Sequence, residues 1–349
     1  VVLLGAGETS PAGGAVFEEL LRRHPAGSPP KIVVIGTPAG FEPNADRVAG
    51  RIADFLAKRL APFRPSVSVL PARGREAPSG TEDGAAAEEV LRSDMVFLGP
   101  GSPTYAVRQL RGSRLWHAVA ARHLLGGITV LASAAMVAAG REALPVYEIF
   151  KVGEGLHWKE GLDLLGAHGL SLVLVPHWNN RDGGTELDTR RCYLGEERFG
   201  ALLRLLPAGR TVVGVDEGTA LFVDPSARSC SVSGAGTVTV LGGGETRVHP
   251  AKASFPIDDL GPFRPPSGGA GIPPDRWDEA RSLRPRPLPS DPEPHRPMDA
   301  ESKRLLAERD EARRRKDWLR ADELRERLLA AGWRVTDTPA GQVAEPIPS

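Results

Sequence analysis

Residues 126–140 read GGITVLASAAMVAAG. A β-branched apolar run, Ile128 to Leu131, reaches Ser133 between small residues and gives way at once to Ala-rich, helix-favouring sequence. A strand that turns sharply into a helix around one serine is how a nucleophile elbow is built, because the turn lifts the hydroxyl clear of the sheet. The N–H of Ala134 then opens the helix, where it can stabilise a developing oxyanion. A hydroxyl nucleophile needs a base, and the base needs an orienter. His177 closes the run LVLVPHW (172–178), and Glu217 closes VVGVDE (212–217). Gly101, in FLGPGSPT (97–104), can aim a second backbone N–H at a carbonyl oxygen. Ser133, His177 and Glu217 are the candidate catalytic residues, with Gly101 and Ala134 as the candidate oxyanion hole. Each also has a plain structural role open to it: an N-cap for Ser133, a solvated or Arg-paired carboxylate for Glu217, a turn for the glycines.

These residues need a scaffold that brings strand ends together. Strands are expected at Val1–Leu4, 31–36, 67–70, 95–98, 128–131, 170–175 and 211–215. They are continuous Val/Ile/Leu runs rather than alternating ones. That pattern predicts strands buried on both faces, hence an α/β fold with a mainly parallel sheet sandwiched by helices. Helical spacing at Val16, Phe17, Leu20 and Leu21, and at Val48, Ile52, Phe55 and Leu56, supplies two of the covering helices. Functional groups in such sheets collect at the C-terminal strand ends, where Ser133, His177 and Glu217 all fall. SCSVSGAGTVTV (229–240) alternates around Gly-Ala-Gly and reads as an antiparallel hairpin closing the domain.

The ordered set GAGE (5–8), FLGPGSPTYAVRQL (97–110), LASAAMVAAG (131–140), GLDLL…VPHW (161–178), DEGTAL (216–221) and VSGAGTVTV (232–240) resembles the cyanophycinase and aspartyl dipeptidase family of serine peptidases. The resemblance spans roughly residues 1–242. It implies a class I glutamine amidotransferase-like, flavodoxin-like fold with Ser in place of the amidotransferase Cys. It also implies Ser133 as nucleophile, His177 as base, Glu217 as third member, and the N–H groups of Gly101 and Ala134 as oxyanion hole. Glu148 is a rival for the acidic role. The family elbow is Gly-x-Ser-x-Gly, whereas Leu131 and Ala135 flank Ser133 here. Pro100-Gly101-Ser102-Pro103 replaces the usual Gly-Gly loop, and Val175 stands where an acid is usual.

Beyond His177 the polar stretch 179–199 carries Asn179, Arg181, Arg190 and Arg191. With Thr104 these are the candidate substrate contacts, since guanidinium groups bind carboxylates in bidentate fashion. Cys192 lies in the same stretch with nothing beside it that argues for activation. Gly5-Ala6-Gly7 is not a dinucleotide site, because Ser10 occupies the third glycine position.

From Asp258 to Pro297 repeated Pro, Gly and charge predict an extended linker. Residues 298–342 predict a helical hairpin that breaks near Asp317-Trp318, is seamed by Leu305, Leu306, Ala312, Leu319, Leu324 and Leu328, and ends at Gly332. ERDEARRRKDWLRADELRERLLAAGWRVTDTPAGQ (308–342) resembles the C-terminal segment of bacterial cysteinyl-tRNA synthetases. That resemblance implies tRNA or ribosome contact, with Arg313, Arg314, Arg315 and Lys316 on phosphates.

Lys+Arg and Asp+Glu are both 44, so no global field selects nucleic acid or a membrane. Two cysteines form neither a metal constellation nor a disulfide framework, which fits a reducing cytoplasm. No apolar run approaches a membrane span, and VVLLGAGE shows no basic leader. The expectation is a cytoplasmic, metal-independent and cofactor-free serine hydrolase with domain bounds 1–257, acting on a small, acidic peptide or isopeptide. The competing expectation is a non-catalytic module whose tail, 299–342, contacts tRNA or a protein. Self-association is compatible with either.

Overall fold

The computed structural model describes residues 1–23, 29–283, 299–315, 317–338 and 341–346. The chain falls into two compact units, Val1–Arg286 and Pro287–Ser349.

In the first unit, Val2–Leu4, Ile128–Ala132, Met95–Leu98, Lys31–Ile35 and Ser66–Leu70 lie side by side in that order, all parallel. Successive residues of these strands feed opposite apolar layers. Leu3, Val33, Val96 and Leu131 enter one, while Val2, Val34, Phe97 and Val130 enter the other. Helices Pro11–Arg22 and Ala45–Arg59 cover the second layer through Phe17, Leu20, Ile52 and Leu56. Gly84–Leu91 and Arg114–Leu124 cover the first. The continuous apolar runs thus mark strands buried on both faces, as expected of a helix-covered parallel sheet.

The antiparallel elements depart from expectation. Ser229–Gly234 and Thr237–Gly242 do not pair with each other. The former pairs with Thr219–Asp224 and Ser254–Pro256 in the first sheet. The latter pairs with Thr211–Val215 and Glu245–Pro250 in a second sheet, which also holds Leu172–Val175. Gly234 (φ +110°) directs the chain from one sheet to the other. A Cβ there would overlap the Gly218 carbonyl. Alternation reports a half-buried strand and carries no information about its partner.

The linker expected over 258–297 is also revised. Ile257–Leu260 is a 3₁₀ turn and Pro274–Ser282 a helix. Ile257, Leu260, Ile272 and Ala280 are buried in the main core, and Glu279 is clamped by Arg114 at 2.7 Å. A few well-spaced apolar residues therefore dock this Pro-rich stretch, and the remainder of the expected linker lies outside the described residues.

In the second unit, helices Ala300–Arg314 and Trp318–Ala330 are followed by antiparallel strands Trp333–Thr338 and Gly341–Pro346. Asp317 caps the second helix by accepting from the Arg320 N–H, and Gly332 (φ +85°) lies just past its C-cap. Leu305, Ala312, Leu324 and Leu328 form the expected seam, joined by Ala321, Trp333 and Val335. The side chain of Leu319 and all of Lys316 lie outside the described residues. The expected helical hairpin therefore continues into a β-hairpin. Among the described residues no helix is long and apolar enough to cross a membrane.

Candidate active site

Three successive carbonyls at the end of the first strand organise the site. Leu4 O accepts from the Ser133 N–H (3.3 Å), Gly5 O from the His177 N–H (3.1 Å) and Ala6 O from the Gly218 N–H (3.2 Å). One buried strand end thus fixes segments from both sheets. That accounts for the small residues there: a Cβ on Gly5 would overlap the Asp216 carbonyl.

Ser133 leaves its strand at φ +49°, ψ −117° and begins the helix Ala134–Ala138, whose first turn closes through the bond from Val137 N to Ser133 O. For a residue with a Cβ this conformation costs roughly 1–3 kcal/mol. The elbow therefore forms without its flanking glycines. Leu131 still lies in the strand, wholly buried, and Ala135 packs into the same core with its N–H on Gly99 O.

The Ser133 hydroxyl lies 3.0 Å from His177 Nε2, and His177 Nδ1 lies 2.7 Å from Glu217 Oε1. Glu217 Oε1 also accepts from Asn180 Nδ2 at 2.8 Å, and its N–H donates to Asn179 Oδ1 at 2.9 Å. The His177 hydrogen bond, aided by Asn180, holds the Glu217 carboxyl below its ordinary range against partial burial. A carboxylate that stays ionised suits an orienter that must face an imidazolium. Glu148 makes no such contact. It opens a π-helical turn, Glu148–Val152, with Oε2 buried and without a partner among the described residues.

Gly101 sits at φ +143°, where a Cβ would overlap the Pro38 carbonyl, so only glycine fits. Among the described residues, the N–H groups of Gly101 and Ala134 donate to no other backbone carbonyl. Both residues face the same cavity of about 320 Å³ as Ser133 and His177. Its walls include Val137, Val146, Tyr147, Phe150 and Tyr193, with Lys151 as a cation over the Tyr147 ring (4.8 Å).

The other sequence candidates are placed differently. Arg190 makes a bidentate pair with Asp188, and Arg191 pairs with Glu196 while stacking on Trp178 (3.9 Å). Both guanidinium groups brace their own loop and neither lines the cavity. Asn179 clamps the Glu217 backbone. Arg181 is exposed and Thr104 half-buried on the helix Pro103–Leu110, and neither lines the cavity. Cys192 does line it, but burial pushes its thiol up to about 12. Asn180, Tyr147, Lys151 and Tyr193 were not singled out from sequence. The Asn179-Asn180 pair just after His177 was the available signal. No group of three or more His, Cys, Asp or Glu side chains among the described residues could hold a metal ion.

Comparison with solved structures finds the same fold in a peptidase from an acI-B1 Actinobacterium (TM-score 0.57, 19% identity), covering 73% of this chain and 95% of that one. A putative peptidase E protein from Listeria monocytogenes aligns at TM-score 0.40 and 13% identity, covering 72% and 98%. The family model for the cysteinyl-tRNA ligase anticodon binding domain matches residues 295–343. Over 38 residues the chain is 63% identical to cysteine–tRNA ligase 1 of Burkholderia lata and 55% identical to the cysteine–tRNA ligase of Rubrobacter xylanophilus. Each match covers 11% of this chain and only 8% of the ligase. The two-part resemblance read from sequence, a peptidase-like α/β unit followed by a tRNA-ligase-like tail, thus meets both comparisons.

Proposed function

We propose that this protein is a serine hydrolase that cleaves an amide bond in a small peptide or isopeptide. The unbroken hydrogen-bonded series Ser133–His177–Glu217 carries the reading. The fold shared with a solved peptidase supports it. In this mechanism Ser133 Oγ attacks the scissile carbonyl carbon while His177 Nε2 takes the hydroxyl proton. Glu217 accepts from Nδ1, fixing the tautomer and stabilising the imidazolium. The carbonyl oxygen becomes an oxyanion that the Gly101 and Ala134 N–H groups meet. Collapse breaks the C–N bond, and His177 returns its proton to the leaving amine. Water, deprotonated by His177, then releases the acyl group and regenerates Ser133. The cavity limits the acyl side to a short segment, and Lys151 supplies the charge that favours an acidic one. The test is incubation with a mixture of short peptides, read by mass spectrometry. New fragments absent with Ser133→Ala support the proposal. No cleavage, or cleavage that survives in the variant, refutes it.

A second reading concerns the tail, where the anticodon-binding match over 295–343 favours RNA contact by residues 299–342. Arg314 and Arg315 pair with Asp310 and Glu311, so phosphates would have to compete with these carboxylates. Trp318 is 56% exposed, with the Arg313 guanidinium 5.8 Å from its ring, an arrangement that suits stacking on an unpaired base. Salt-sensitive binding of a tRNA anticodon stem-loop, weakened by Trp318→Ala, is the expected result. Binding insensitive to that variant removes the reading.

A further inference from the structure

The backbone is left-handed at three consecutive non-glycine residues, Arg191, Cys192 and Tyr193 (φ +58°, +56° and +69°). Residues with a Cβ rarely adopt this conformation even singly, and a run persists only where its surroundings impose it. Here the turn is fixed by bonds from Arg191 N to Trp178 O (3.0 Å), Cys192 N to His177 O (3.1 Å) and Tyr193 N to Thr189 O (2.9 Å). The chain is folded back onto the backbone of the candidate base itself. The strain has one clear product. It sets the Tyr193 ring against the His177 imidazole, with centroids 5.5 Å apart and planes inclined at 52°. Phe150 supports the Tyr193 ring at 5.7 Å.

The phenol is anchored as well. Tyr193 OH donates to Asp182 Oδ2 at 2.9 Å, and Asp182 N–H donates to Asn180 Oδ1 at 3.1 Å. Asn180 in turn donates to Glu217, which holds His177 Nδ1. The circuit His177–Glu217–Asn180–Asp182–Tyr193 therefore closes on the imidazole it began from. Its hydrogen bonds to Asn180 and Tyr193 keep the Asp182 carboxyl below its ordinary range. The His177 imidazole is thus met by the Ser133 hydroxyl at Nε2, the Glu217 carboxylate at Nδ1 and the ring of Tyr193.

We propose that Tyr193 is the positioning residue of His177, and that Asp182, by accepting from the Tyr193 hydroxyl, holds the ring against the imidazole. The inference rests on the hydrolase reading above. It accounts for a strained turn that neither the fold nor the triad by itself requires.

The test uses the full chain and a fluorophosphonate probe. The Ser133 Oγ–P bond forms as the P–F bond breaks, fluoride leaves, and His177 takes the hydroxyl proton. Labelling rate is followed against probe concentration and pH. Tyr193→Ala is expected to slow the reaction within the bound complex roughly tenfold to a hundredfold, with little change in probe affinity. Tyr193→Phe, which keeps the ring and loses one hydrogen bond, should slow it only about threefold to fivefold. Asp182→Asn weakens the bond that holds the Tyr193 phenol, so it should slow the reaction by about as much as Tyr193→Phe. Should circular dichroism show Tyr193→Ala unfolded, Tyr193→Phe and Asp182→Asn decide. Wild-type labelling with unchanged rates in the Tyr193 and Asp182 variants overturns this inference alone. An unlabelled wild type overturns the hydrolase reading with it.

Discussion

In the first unit a parallel sheet is sealed on both faces by apolar layers, and the rigidity so gained holds improbable conformations at one edge: Ser133, His177 and Arg191–Tyr193 all lie at positive φ. In the second unit two helices and a β-hairpin close over a small core, and the described charges include exposed pairs such as Arg315–Glu311 and Arg320–Glu323. Exposed pairs of this kind add little to stability, because water and salt screen them. A large core can sustain strain where chemistry needs it, whereas a small one can only present a surface. On this contrast the proposed hydrolysis is assigned to the first unit and the proposed RNA contact to the second.

The comparison breaks most readily at Glu217. Glu217→Gln leaves the shape of the site and removes the charge facing His177, so turnover of a cleaved peptide should fall by about 10³–10⁴-fold. A loss below tenfold would mean that the series of hydrogen bonds is only structural. Next comes Gly101→Ala, whose methyl meets the Pro38 carbonyl and displaces one oxyanion donor. The expected cost is about 10²–10³ in turnover. Unaltered kinetics would place the oxyanion hole elsewhere.

The two-unit contrast is sharpened by Leu324→Ala, which opens a cavity in the small core. It should destabilise the second unit by about 2–5 kcal/mol while labelling of Ser133 in the first is unchanged. Separate thermal transitions by calorimetry check this, and a single shifted transition would contradict it. Thiol access is a smaller matter. Cys192 and Cys230 are both buried, with thiols pushed up to about 12, so a disulfide reagent should find no reactive thiol until the protein is denatured.

The smallest effect expected is on acid stability. Glu217 titrates below its ordinary value when folded, so its stabilising contribution is complete above that ordinary value and disappears as pH falls through the folded one. Replacing it with Gln should flatten the stability–pH curve in that acid window alone. An identical curve would show that the His177 contact does not bias ionisation.

What sequence could reveal divides along physical lines. Continuous apolar runs located the strands, and their ends located Ser133, His177 and Glu217, because burial on both faces leaves a composition signature. Strand partners left none, so residues 229–240 read as one hairpin when Gly234 carries them into separate sheets. The docking of 257–283 depends on four spaced side chains along a Pro- and Gly-rich stretch, Ile257, Leu260, Ile272 and Ala280, too few to raise a pattern. Arg190 and Arg191 suggested ligand contacts because a sequence does not show that Asp188 and Glu196 will claim them. Tyr193 escaped notice for a related reason. Its role arises from backbone strain, which only three-dimensional context imposes.

The central claim, that Ser133 is a nucleophile activated by His177, is tested most directly by the intact mass of the full chain after fluorophosphonate treatment. The account predicts one stoichiometric adduct mapping to Ser133, absent in both Ser133→Ala and His177→Ala. No adduct on the folded wild type, or an adduct retained in Ser133→Ala, would contradict it.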